Sequence, residues 1–240
     1  MNLTIDIGNT LMKWAFFDAD TLVDHGAAPA SQLPEVCNSR PWQKAIVCAS
    51  GQADLSCLAD CHAPVHLLSP SSRLPITIDY ATPHTLGADR IAAACGAWKH
   101  RKGETSVVID AGTCITVDLL DNSGTYRGGA ILPGITMKFR ALHTFTAKLP
   151  LLDNSDSLGA PLTGRTTEQS IVAGVVTATR FAVDGFIRHY RNQYGHLGVV
   201  LTGGDADKLW GNGVDPTGDN LLDPILTMTG LNEILKQNER

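Results

Sequence analysis

One pattern limits what this chain can become. Residues 3–20, LTIDIGNTLMKWAFFDAD, and residues 107–124, VVIDAGTCITVDLLDNSG, follow one plan: an apolar run, Asp-x-Gly, a threonine, then a second apolar run closing on Asp. Short apolar runs bounded by turn residues read as strands. Each copy continues into a third run, so strands are predicted at 2–7, 11–18 and 20–25, and again at 105–111, 114–120 and 125–131. A three-strand meander met twice, about half a chain apart, predicts an α/β protein of two matched domains, 1–103 and 104–240. They face each other across a ligand cleft, since α/β sheets bind ligands at strand ends and pockets favour domain junctions.

Around the meanders, KAIVCAS (44–50) and PVHLL (64–68) are strand-like, with a helix expected over 51–61. LGADRIAAACGAWKH (86–100) reads as a helix, and a further helix is predicted from Pro133 to about 146, proline being suited to a first helical turn. After a loop over 150–164, apolar positions recur at helical spacing through 166–193, with Thr166 and Gln169 as a capping box. Residues 197–210 read strand, glycine turn, helix, and 223–238 form a last helix weakened by Gly230.

With 43 % hydrophobic and 18 % charged residues the chain can bury a core, and a net charge of −5 without a basic run argues against nucleic acid as partner. The start reads as a strand, not a leader, and no run approaches the roughly 18 uninterrupted apolar residues of a membrane span. A cytoplasmic protein with no membrane partner is expected. The six cysteines lie among apolar or small residues, as reduced core thiols do. Cys57-x3-Cys61-His62 has no second pair to complete a zinc site, and the eight histidines form no ligand-spaced cluster.

The repeated turn has chemistry to offer. A carboxylate ending a buried strand is costly unless paired or bound to a cation, and the glycine behind it exposes backbone N–H groups to an anion. Asn9-Thr10 and Thr113 add donors, and Lys13 lies on the strand that folds back from Asp6. Such turns suit phosphate oxygens beside a metal ion. Neither common phosphate-loop pattern, G-x-x-x-x-G-K-[ST] or G-x-G-x-x-G, is present. VVLTGGDA (199–206) enters a Gly203-Gly204 turn able to approach a flat ligand closely. Asp89 and Arg90 open the helix at 86–100, where a carboxylate either stabilises the helix dipole or serves as a base beside a cation.

These segments in order resemble the acetate and sugar kinase/Hsp70/actin superfamily and, more closely, type III pantothenate kinase. The match comprises Asp6-x-Gly8-Asn9-Thr10-x-x-Lys13, Leu86-Gly87-Ala88-Asp89-Arg90, Asp110-Ala111-Gly112-Thr113, Gly128-Gly129-Ala130-Ile131-x-Pro133-Gly134, Thr163-Gly164-x-Thr166-Thr167-Glu168 and Leu201-Thr202-Gly203-Gly204-Asp205. The resemblance implies two tandem actin-like ATPase (RNase H-like) domains and ATP-dependent phosphorylation of pantothenate. It implies Asp6, Gly8, Asn9, Thr10, Lys13 and Thr113 at the nucleotide, and Mg²⁺ near Asp6. A monovalent cation, K⁺ or NH₄⁺, would lie at Asp110. Tyr80, Gly87, Ala88, Asp89, Arg90 and Thr167 would hold pantothenate, with Asp89 accepting the proton, in a homodimer whose substrate lies near the interface. The competing readings are a kinase of this fold with another small acceptor, and a non-catalytic nucleotide-binding transcriptional accessory factor.

Overall fold

In a computed structural model, residues 1–50, 54–59, 61, 63–153, 159–210 and 220–238 are described. Part of the helix expected over 51–61, part of the 150–164 loop, His62 and most of 209–220 therefore lie outside the described residues. The elements run β1 (Asn2–Ile7), β2 (Met12–Asp18), β3 (Thr21–Ala28), α1 (Leu33–Asn38), β4 (Lys44–Ala49), β5 (Val65–Leu67), β6 (Thr77–Ile78) and α2 (Ala88–His100). They continue with β7 (Ser106–Ala111), β8 (Cys114–Leu120), β9 (Thr125–Pro133), α3 (Ile135–Thr144), α4 (Thr167–Val172), α5 (Ala178–Tyr194), β10 (Gly198–Thr202), α6 (Ala206–Trp210), β11 (Asn220–Leu222) and α7 (Leu226–Gln237). Two compact units result: Met1–Gly103 with Leu120–Gly128 and Ile225–Arg240, and Glu104–Leu119 with Gly129–Pro224. Where the sequence suggests one cut near residue 103, the units interleave: the β8–β9 turn and α7 belong with the first.

In unit 1 the sheet order is β3-β2-β1-β4-β5. β2 runs antiparallel to β1 and β3, while β4 lies parallel to β1 and β5. All six residues of β1 are buried, as expected of a central strand covered on both faces. One face packs Leu3, Ile5 and Ile7 with Leu33 and Val36 of α1. The other packs Ala15, Phe17, Ile46 and Cys48 with the small residues of α2 and with Met228, Leu231 and Ile234 of α7. Buried amides tie α7 to the sheet: Asn2 Nδ2 donates to Asn232 Oδ1 at 2.8 Å, and Asn232 Nδ2 donates to Ala19 O at 2.8 Å. Lys99 and Lys236 both reach Asp20 and Glu233, which closes the β2–β3 turn onto both helices.

Gly230, read from sequence as a weak point of the last helix, has a different role. A Cβ there would overlap the carbonyl oxygen of Ala92 and lie 2.7 Å from Gly96 N, and one at Gly96 would overlap the carbonyl of Leu226. The α2 and α7 backbones touch where both side chains are missing.

In unit 2, β10 is parallel to both β7 and β11, with β8 and β9 beyond β7. Pro133, expected to open a helix, instead ends β9, and α3 starts after Gly134. Proline has no N–H for the ladder, and Gly134 N donates instead to Thr113 O at 3.1 Å. The single helix expected over 166–193 is α4 and α5 joined by a π-turn over Ala173–Thr177. Thr179 Oγ1 donates to Val175 O beside that turn and accepts from Lys138 Nζ of α3 at 2.5 Å. Among the described residues, Thr167–Tyr194 is the one helix long and apolar enough to cross a membrane by length and composition. Its Ile171, Val172, Val175, Val176, Val183 and Ile187 pack in the core of unit 2.

Helix propensity favours Ala over Gly by about 1 kcal/mol, but overlap of a new Cβ with packed backbone costs about 1–3 kcal/mol or more. Gly230→Ala is therefore expected to destabilise the protein by about 2 kcal/mol in urea unfolding, and an unchanged or raised midpoint would contradict the close crossing.

Candidate active site

Asp6, near the end of β1, has Lys13 of β2 opposite it on one side and Cys48 of β4 on the other. Residues opposite one another across a ladder share a face of the sheet, here the face covered by α2 and α7. Asp6 is 9 % exposed and the Cys48 thiol fully buried. Burial pushes the Cys48 thiol far up, and the carboxylates of Asp6 and Asp89 push it further, Asp6 also accepting its hydrogen bond. The acidic residues of two distant motifs thus act on one buried sulfur. At the turn after β1, Gly8 N donates to Leu11 O at 3.2 Å, leaving Asn9 and Thr10 exposed.

Asp89 lies in the first turn of α2, after Gly87 at the cap. Its Oδ1 accepts from Arg90 N at 2.9 Å. The carboxylate folds back over Gly87, where a Cβ would come within 2.5 Å of Oδ1. Arg90 is 7 % exposed, and its guanidinium carbon stands 5.9 Å from the centre of the Tyr126 ring. Tyr80 meets the same ring edge-on, with centroids 6.1 Å apart. Tyr126 thereby joins Tyr80 and the Asp89-Arg90 segment.

The turn before Tyr126 is held by Asp121, whose Oδ1 accepts from Ser123 N at 2.9 Å, Ser123 Oγ at 2.6 Å and Thr125 N at 2.9 Å. Arg127 adds Nε to Asp121 at 2.8 Å and Nη1 to Asp79 at 2.5 Å. Burial pushes the Asp121 carboxyl up, but the hydrogen bonds from Ser123, Thr125 and Arg127 together outweigh it and hold it at about 2.

Unit 2 carries the second turn. Gly112 N donates to Cys114 O at 3.0 Å, closing it, and Thr113 is exposed. Asp110 on β7 stands opposite Thr202 on β10. Gly203 adopts φ +96°, open to glycine at little cost, and a Cβ there would lie 2.5 Å from Asp110 Oδ1. Asp205 N donates to Ala111 O at 2.9 Å. The Gly203-Gly204 turn and the Asp110 turn are therefore in contact. Elsewhere in this unit, Thr166 Oγ1 caps α4 by accepting from Gln169 N at 3.1 Å, while Gln169 Oε1 reaches Arg165 N at 2.9 Å, one residue before the position a capping box uses. Thr167 follows, exposed. Among the described residues no group of three or more His, Cys, Asp or Glu could hold a metal ion by itself.

A family model described as type III pantothenate kinase matches residues 2–189. A type III pantothenate kinase of Cytophaga hutchinsonii is 38 % identical, over 99 % of this chain and 100 % of that protein. The chain belongs to the type III pantothenate kinase family. Its fold is shared with a Baf family protein from Campylobacter jejuni (TM-score 0.68, 24 % identity, 98 % of each chain) and an archaeal actin homologue (TM-score 0.57, 10 % identity, 99 % of each chain). The fold is thus one shared with an actin homologue. Beyond the type III pantothenate kinase motifs, Tyr126 and Cys48 escaped the sequence reading. A bulky aromatic between a hairpin turn and Gly128-Gly129 was the available signal for the first; only strand register reveals the second.

Because Asp121 titrates lower folded than its ordinary 3.8, its contribution is present above about pH 4 and lost as pH falls through about 2. Asp121→Asn is expected to cost about 1–2 kcal/mol at neutral pH and close to nothing below about pH 2. An equal cost at both, in chemical denaturation, would show that the carboxylate charge is not what holds the turn.

Proposed function

We propose that this protein transfers the γ-phosphoryl group of ATP to pantothenate, giving 4′-phosphopantothenate at the first step of coenzyme A synthesis. Full-length membership of the type III pantothenate kinase family supports the activity. The observation that carries the mechanism is the placement of two motif carboxylates around Cys48: Asp6 pairs with it across the ladder, and Asp89 opens α2, the helix packed on that face of the sheet.

In this reading Asp6, Gly8, Asn9, Thr10, Lys13 and Thr113 take the nucleotide. Backbone N–H groups of the two Asp-x-Gly turns and the Lys13 ammonium offset phosphate charge, the main task in phosphoryl transfer. Tyr80, Gly87, Ala88, Arg90 and Thr167 orient pantothenate. Asp89 accepts the proton of its primary hydroxyl as the oxygen attacks in line. The Tyr126 ring lies under the Arg90 guanidinium and helps to hold the segment that carries Asp89.

A divalent ion fits this donor set. Mg²⁺ binds by one or two carboxylates together with water and substrate phosphates, not in an all-protein cage, and Asp6 is the carboxylate that would hold it. When bound, Mg²⁺ neutralises charge on the phosphate oxygens. Asp110 would hold K⁺ or NH₄⁺. A homodimer with the substrate near its interface and a cytoplasmic location complete the proposal.

Protein incubated with ATP, Mg²⁺ and K⁺ should release ADP when pantothenate is added, and not with a panel of sugars and organic acids. Nucleotide binding without pantothenate-dependent turnover would favour a non-catalytic regulator, and turnover with another acceptor a different kinase. Na⁺ in place of K⁺ should slow the reaction; an equal rate would remove the monovalent cation from Asp110. Asp89→Asn should lower kcat by about 10²–10⁴-fold with the melting temperature nearly unchanged, and near-normal turnover would end its assignment as base.

A further inference from the structure

Away from the motif turns, unit 1 has a cavity of about 560 Å³ with Cys37, Cys57 and Cys61 in its wall, beside Asn38, Arg40 and Trp42. The other cysteines lie apart from this wall: Cys48 and Cys95 are buried and Cys114 is exposed. Here three thiols meet. Cys37, on α1, is buried, whereas Cys57 and Cys61 are half-buried. The Cys61 sulfur lies near enough to act on the Cys37 thiol, and the Cys61 thiol donates to Cys57 O at 3.5 Å. Trp42 Nε1, donating to Cys37 O at 2.9 Å, fixes the end of α1 that carries Cys37.

We propose that Cys37 and Cys61 form a reversible disulfide when a low-molecular-weight disulfide, such as oxidised glutathione, enters this cavity. The half-buried Cys61 reacts first. Its thiolate attacks one sulfur of glutathione disulfide, forming a Cys61–glutathione mixed disulfide and releasing one glutathione thiolate, which takes up a proton. Cys37 then attacks the Cys61 sulfur, its proton passing to the second departing glutathione. Two protein thiols are oxidised to one disulfide, and one glutathione disulfide is reduced to two molecules of glutathione. The order follows from the surroundings. Burial first, then the adjoining Cys61 and Cys57 sulfurs, push the Cys37 thiol up to about 12. It stays protonated until a partner sulfur is presented to it, while the thiolate is the attacking species in such exchange. The bond would fasten the segment bearing Cys57 and Cys61 to α1. This inference is independent of phosphoryl transfer.

The test treats the full-length protein with excess oxidised glutathione, blocks remaining thiols under denaturing conditions, and maps the linkages by peptide mass. The expected product links the Cys37 and Cys61 peptides, with the loss of two hydrogens and two titratable thiols, and reverts with dithiothreitol. In Cys37→Ser the mixed disulfide should accumulate on Cys61. In Cys61→Ser, which changes only a half-buried position, Cys37 should keep its thiol. A Cys57–Cys61 linkage, or a lasting glutathione adduct on Cys61 of the unsubstituted protein with Cys37 unchanged, would overturn the proposal.

Discussion

The backbone contact between α2 and α7 sets the geometry of unit 1. Two helices normally keep about 8–10 Å between axes because side chains fill the gap. Where Gly96 and Gly230 face the opposite backbone there are none to fill it. α7 also packs on β1 and β4, so the height of α2 above the sheet depends on this crossing. That height decides where the first turn of α2 ends. It brings the Asp89 carboxylate close enough to act on the Cys48 thiol, which also feels Asp6.

The two acidic turns achieve similar ends by different local means. On β1, Asp6 is nearly buried and faces a lysine across the ladder. On β7, Asp110 is partly exposed, and the backbone of Gly203, in the turn just after β10, approaches it closely. A lysine in register with the first carboxylate and a close glycine backbone at the second set the two turns apart. The duplicated meander accounts for the shared architecture, and these neighbours for the difference.

Much of this was legible in the sequence because it is local. The six meander strands follow from short apolar runs between turn residues, and the start of α2 from Asp89 ahead of an alanine-rich stretch. What was missed depends on partners far along the chain. Gly230 looked like a defect because its reason lies at Ala92 and Gly96. Pro133 looked like a helix start because the competing demand, an acceptor at Thr113, belongs to another turn. The π-turn within 166–193 keeps the apolar spacing of a plain helix, so periodicity alone could not disclose it. β6 and β11 have two and three residues, too few to show alternation. Tyr126 gained its place from Tyr80 and Arg90, neither of them near it in sequence.

The interleaving of the units bears on how the protein is made. α7 leaves the ribosome only after every strand of unit 2, yet it supplies Met228, Leu231 and Ile234 to the apolar layer over β1 and β4. Until then, a nascent chain holds a sheet with one face incompletely covered, and α2 without the helix its glycine was shaped to meet. Unit 1 is begun first and closed late. Its exposure to chaperones and proteases during synthesis lasts as long as translation of the whole of unit 2.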